Sequence, residues 1–79
     1  MTARIPLSDL AVGRKAKIVE VHGGRGVHHR LQLLGIRPGT VVTKISSAIR
    51  PGAVVIQVGG SQAAVGYGVA RKIIVEIHR

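Results

Sequence analysis

The side chains best suited to chemistry in this chain are its four histidines, His22, His28, His29 and His78. Neutral imidazole nitrogens hold Zn²⁺ or Fe²⁺ well. Their spacing works against a built site. His28 and His29 are adjacent, so on a helix they point about 100° apart. There is no His-x₃-His pair, and the carboxylates number three: Asp9, Glu20 and Glu76. Catalytic zinc sites normally take three protein ligands and structural sites four. The ligand arithmetic therefore favours solvated histidines and no cofactor, with His28 and His29 as weak candidates for Fe²⁺ or another divalent ion. A weak site shared between two molecules is the form such binding would take.

Other chemistries lack their parts. The chain has no cysteine, hence no thiol nucleophile, no disulfide and no thiolate metal site. Ser8, Ser46, Ser47 and Ser61 fall in caps, turns and strand ends, and the three carboxylates are isolated in sequence. Gly23-Gly24-Arg25-Gly26 precedes a helix, where glycines can open a phosphate site. The Gly-x-x-x-x-Gly-Lys-Ser/Thr pattern and its βαβ setting are missing, so the stretch reads as a flexible connection. Nothing here argues for an enzyme.

Charge is the strongest compositional signal. Twelve Lys and Arg stand against three Asp and Glu, a formal +9 at pH 7. Such a balance speaks to anionic partners: nucleic acid, a membrane surface, or an acidic protein face. Base-stacking recognition of single strands uses aromatic side chains, and Tyr67 is the one aromatic residue. Proline-rich peptide recognition fails on the same ground. Phosphate-only contact with RNA or DNA stays open, and would be salt-sensitive.

These residues must be carried by a small fold. Seventy-nine residues make one domain, 1–79, with a core built of Val, Ile, Leu and Ala. No apolar run reaches the ~20 residues of a membrane span, and no signal-peptide pattern is visible at the start of the chain; the lack of cysteine fits the expected cytoplasmic location. The organising stretch is His28 to Thr40, HHRLQLLGIRPGT. Val27, Leu31 and Leu34 mark one helical face. Gly35 supplies a left-handed stop, and Pro38-Gly39 presets a turn. A short helical turn is expected at Pro6–Leu10, capped by Ser8 or Asp9. Five strands are expected: Arg14–Val21 with a bulge, Val41–Ser46, Ala53–Val58, Ser61–Val65 and Lys72–His78. In the second of them, Val41, Thr43 and Ile45 form the more apolar face. Turns are expected at Arg50-Pro51-Gly52 and Gly59-Gly60, and a tight 3₁₀-like link at Gly66–Ala70. Short strands with tight turns suggest a small closed barrel with a single proper helix.

The pattern PLSDLAVGRKAKIV, a glycine-rich stretch, then HRLQLLGIRPGTVV resembles the FeoA family of bacterial ferrous iron uptake. The matching positions are Leu7, Leu10, Gly13, Ile18, Leu31, Leu34, Gly35, Pro38, Gly39 and Thr40. The later VVIQVGGSQAAVGYGVARKIIV is similar to the family's third strand, hairpin and last strand, so the resemblance covers nearly the whole chain. It implies a mainly β fold, a small SH3-like five-stranded barrel with one short inserted α-helix, and no enzyme. It implies a partner, the membrane transporter FeoB with its cytoplasmic GTPase domain, and a place in the cytoplasm or at the inner face of the membrane. A related barrel ends iron-dependent repressors. The chain departs from the resembling family where acidic residues are common, with Leu33 and Lys44 near those positions, and in its basic charge.

The expected partner surface is the outer face of the helix. At 100° per residue Leu33 lies about 160° from Leu31, with His29 and Gln32 nearest it on that side, and Arg37 is grouped with them. Leu31, Leu34, Gly35, Pro38, Gly39 and Thr40 form the structural motif beneath. The occupant expected there is the transporter or a second copy of the chain. The alternative readings are a basic barrel binding RNA or DNA, and the regulatory module of a metal-dependent repressor.

Overall fold

The computed structural model describes residues 1–47 and 52–78. Six strands and two α-helices follow in the order β1 (Thr2–Pro6), β2 (Lys15–Val21), α1 (Arg25–Leu33), β3 (Val41–Ser47), β4 (Ala53–Val58), β5 (Ser61–Gly66), α2 (Tyr67–Ala70) and β6 (Ile73–His78). A 3₁₀ turn, Leu7–Asp9, links β1 to β2. All neighbouring strands pair antiparallel, in the order β1-β6-β2-β3-β4-β5.

One apolar face of this sheet is enclosed. Ala16 and Ile18 of β2, Val42 of β3, Val54 and Ile56 of β4, Val65 of β5 and Ile73, Val75 and Ile77 of β6 share a single core. Leu7, Leu10, Leu31, Ile36 and Ala70 complete it. Six strands can share one cluster with only short helical pieces as cover if the sheet curls round it. That is the SH3-like barrel the sequence suggests, held by aliphatic side chains worth roughly 1.5–3 kcal/mol each on full burial.

The register explains the broken alternation in β2. Between Ile18, opposite Val75, and Glu20, opposite Ile74, the strand carries one extra residue, Val19. This bulge keeps Ile18 inward, turns Glu20 out and brings Val21 against the core. The hairpin at Gly59-Gly60 joins Val58 directly to Ser61. Its positive φ of 58° falls at Gly59 and not at Gly60, as a type II′ turn requires.

Several expectations are corrected. The strand count is six, because Thr2–Pro6 pairs with β6 from Thr2 opposite His78 to Pro6 opposite Ile74. In β3 the inward face is Val42 and Lys44, while Val41 and Ile45 are exposed. The reason is that Val42 must face Ala16 and Val58 across the ladders, and a bulge at Ile45 turns that residue out. No side chain caps the Leu7–Asp9 turn, so Ser8 and Asp9 do not serve there. The link after β5 is one α-helical turn, α2, because the Arg71 N–H reaches the Tyr67 carbonyl at 3.0 Å. The turn expected at Arg50-Pro51-Gly52 lies outside the described residues save for Gly52.

Candidate partner-binding surface

The end of α1 is built with unusual economy. The Gly35 N–H donates to the Gln32 carbonyl at 2.9 Å, and the Ile36 N–H donates to the Leu31 carbonyl at 2.8 Å. With Gly35 at φ 81°, this pair of bonds is a Schellman motif. Its usual apolar clasp is present, since Leu31 and Ile36 are both buried. The chain then turns through Arg37–Thr40, where the Thr40 N–H donates to the Arg37 carbonyl at 3.1 Å and Gly39 takes φ 95°. Proline then glycine at the centre of such a turn is the type II pattern. Gly39 and Thr40 in turn exchange hydrogen bonds with Ile18 at 2.7 and 2.8 Å, which fastens the loop to β2.

This frame holds the outer residues in place. Leu33 is 74% exposed, and His29, Gln32 and Arg37 are also exposed. Leu34 departs from its expected place on the core face. It is 45% exposed, because as the cap residue it has left helical geometry at φ −90°, ψ 0°. Its side chain instead borders a cleft of about 120 Å³ with Arg30, Ala64, Gly66 and Val69. Two leucines thus stand at the surface beside basic residues. The cleft could not be read from the sequence, because it joins α1 to β5 and α2 across more than thirty residues.

His28 is half-buried and His29 exposed. Among the described residues no group of three or more His, Cys, Asp or Glu side chains converges on a metal-sized space. Glu20 and Glu76 are occupied elsewhere. Arg4 reaches Glu20 at 3.6 Å and Glu76 at 3.9 Å, and the His22 Nε2 lies 3.0 Å from Glu20. Lys44 is buried, and its ammonium donates to the Ser8 carbonyl at 3.1 Å. No helix in the described residues is long and apolar enough to cross a membrane.

Comparison with known proteins places this geometry. A family model described as the FeoA domain matches residues 5–77. No curated protein matches the chain. A crystal structure of an iron uptake regulatory protein, FeoA, is similar at 30% identity and a TM-score of 0.84, over 95% of this chain and 99% of that one. The Stenotrophomonas maltophilia FeoA, solved in complex with zinc and described as a prokaryotic SH3 domain protein, is similar at 24% identity and a TM-score of 0.69, over 100% and 98% of the two chains. The T. acidophilum IdeR shares 22% identity and a TM-score of 0.84, over 96% of this chain but 35% of its own. The last two likenesses speak to the fold alone.

Proposed function

The chain belongs to the FeoA family, and from that premise we propose that it is a non-enzymatic accessory protein of bacterial ferrous iron uptake that binds the transporter FeoB and modulates its activity. The observation that carries this reading is the pair Leu33 and Leu34, held outward by the Schellman cap of α1. A lone exposed leucine needs no explanation. Two in succession, on a rigid helix end and flanked by His29, Gln32 and Arg37, supply an apolar centre with a polar rim. That is the anatomy of a protein–protein contact. The contact is expected on the cytoplasmic part of the transporter.

The test is Leu33→Glu, followed by thermal melting and by pull-down with the transporter's cytoplasmic domain. Because Leu33 is 74% exposed, the variant should melt within a few degrees of the parent while association falls. Unchanged association in a folded variant would remove this face from the contact.

A further inference from the structure

β2 and β6 part company at one end, and the gap between them is lined with cations. Their ladder stops at Lys17 opposite Glu76, although β2 begins two residues earlier, at Lys15, and β6 runs two residues further, to His78. The split opens a recess of about 410 Å³. Lys15 and Lys17 lie on the same exposed face of β2, and Arg14 bridges the open end by donating from its guanidinium to the His78 carbonyl. Ala16 and Ile77, both buried, lie at its base. The carboxylate that borders it, Glu76, is drawn to Arg4 on the far side at 3.9 Å.

We propose that this recess is a binding site for a soluble phosphorylated small molecule, with Arg14, Lys15 and Lys17 holding its phosphoryl oxygens. Three cations meet there, and the neighbouring carboxylate already has a cationic partner, so a single carboxylate ligand would leave charge uncompensated. Lys15 and Lys17 are about 6.6 Å apart along the strand, a spacing from which two flexible ammonium groups converge on a di- or triphosphate. Arg14 adds a planar fork suited to phosphate oxygens. The volume falls within the ~300–1,000 Å³ of small-molecule sites. It holds a few phosphoryl groups, not a length of nucleic-acid backbone, and a flat bilayer would meet only its rim. Among the described residues its lining holds no Phe, Tyr or Trp, and the one ring there is the His78 imidazole, so recognition centres on the phosphates. The site is separate from the helix-end surface and does not rest on the transporter reading.

The experiment is titration of the full chain with pyrophosphate and with ATP at constant ionic strength, followed residue by residue in amide NMR spectra, with sodium sulfate and phosphatidylglycerol vesicles as parallel arms. Saturable shifts confined to Arg14–Lys17 and Ile77–His78 are expected. Lys15→Gln with Lys17→Gln should weaken binding about tenfold or more, whereas Arg25→Gln with Arg30→Gln on α1 should change it less than about twofold. Both double variants alter exposed side chains, and a melting curve checks that each folds. Shifts spread over every basic segment, equal response to sulfate, or an unweakened β2 variant would overturn the proposal. So would vesicle binding through these lysines with no response to the soluble phosphates, which would assign the face to a membrane.

Discussion

At the scale of single residues, one helix offers the same substitution with opposite outcomes. Gly26 lies in the first turn of α1 without a positive φ, and a Cβ added there meets nothing within 4 Å. Gly26→Ala should therefore stabilise by about 0.5–1 kcal/mol, the helical preference of alanine over glycine. Gly35 holds φ 81°, and its added Cβ would sit 3.5 Å from Val58, an ordinary contact. The cost of Gly35→Ala is then backbone strain, on the order of 1 kcal/mol in the destabilising direction. Urea denaturation of both variants gives the signs, and equal signs would refute the account of the helix end. Lys44 poses a different question. Its charge is buried with a single hydrogen bond to the Ser8 carbonyl. Replacing a buried charge by an apolar side chain of like shape is often neutral or favourable. Lys44→Met should leave stability within about 1 kcal/mol of the parent. Lys44→Glu should cost roughly 2 kcal/mol or more, because an acceptor would then face the Ser8 carbonyl with no donor between them.

At the scale of elements, among the described residues β1 joins the sheet through β6 alone, by five residue pairs. Arg4 links three strands through Glu20 and Glu76, yet those side chains are 59%, 50% and 32% exposed. Exposed pairs contribute about 0–1 kcal/mol. Ile5 instead packs against the core. Arg4→Ala should thus cost under about 1 kcal/mol and Ile5→Ala about 1–3 kcal/mol, read from denaturation midpoints. The reverse order would mean that the ion pairs, not the apolar contact, hold β1. This strand also marks where sequence reading ran out. Its TARIP segment is short and ends in proline, so neither alternation nor propensity distinguishes it from a tail. β6, with Ile73, Val75 and Ile77 inward, was legible because its alternation is unbroken. So were the stop at Gly35, the Pro38-Gly39 turn and the outward phase of Leu33, since each depends on neighbours within four residues. The phase of β3 was not. Counting apolar residues made Val41, Thr43 and Ile45 the more apolar face, whereas pairing with Ala16 and the Lys44–Ser8 bond go with Val42 and Lys44 facing inward. The recess between β2 and β6 was hidden for the same reason: its walls meet only through the fold.

At the scale of the whole molecule, charge and size act against each other. The chain carries +9 on 79 residues, and a domain this small has a thin stability margin. Among the described residues the ion pairs gather at Arg4 and engage Glu20 and Glu76, with the His22 imidazole also against Glu20. Arg14, Lys15, Lys17, Arg25, Arg30, Arg37, Arg71 and Lys72 are exposed and form no salt bridge with a carboxylate side chain of the described residues. Folding concentrates this like charge, and self-repulsion lowers the stability of the compact state. Salt shortens the reach of that repulsion, from about 30 Å at 0.01 M to about 8 Å at 0.15 M. It also weakens the Arg4 pairs, but these are few and exposed, so repulsion should win. The melting temperature should therefore rise as sodium chloride increases from about 0.01 to 0.3 M. A gain of roughly 1 kcal/mol would appear as about 4–8 °C in a domain of this length. The choice of anion sharpens the test. Chloride acts by screening alone, whereas pyrophosphate at equal ionic strength should raise the melting temperature further if it occupies the recess beside Lys15 and Lys17, since a ligand bound only to the folded state stabilises it in proportion to RT ln(1 + [L]/Kd). Substituting Lys15 and Lys17 by glutamine should then raise the melting temperature in low salt and abolish the extra effect of pyrophosphate. A melting temperature that falls with chloride would show that the three-strand ion pairs outweigh the repulsion.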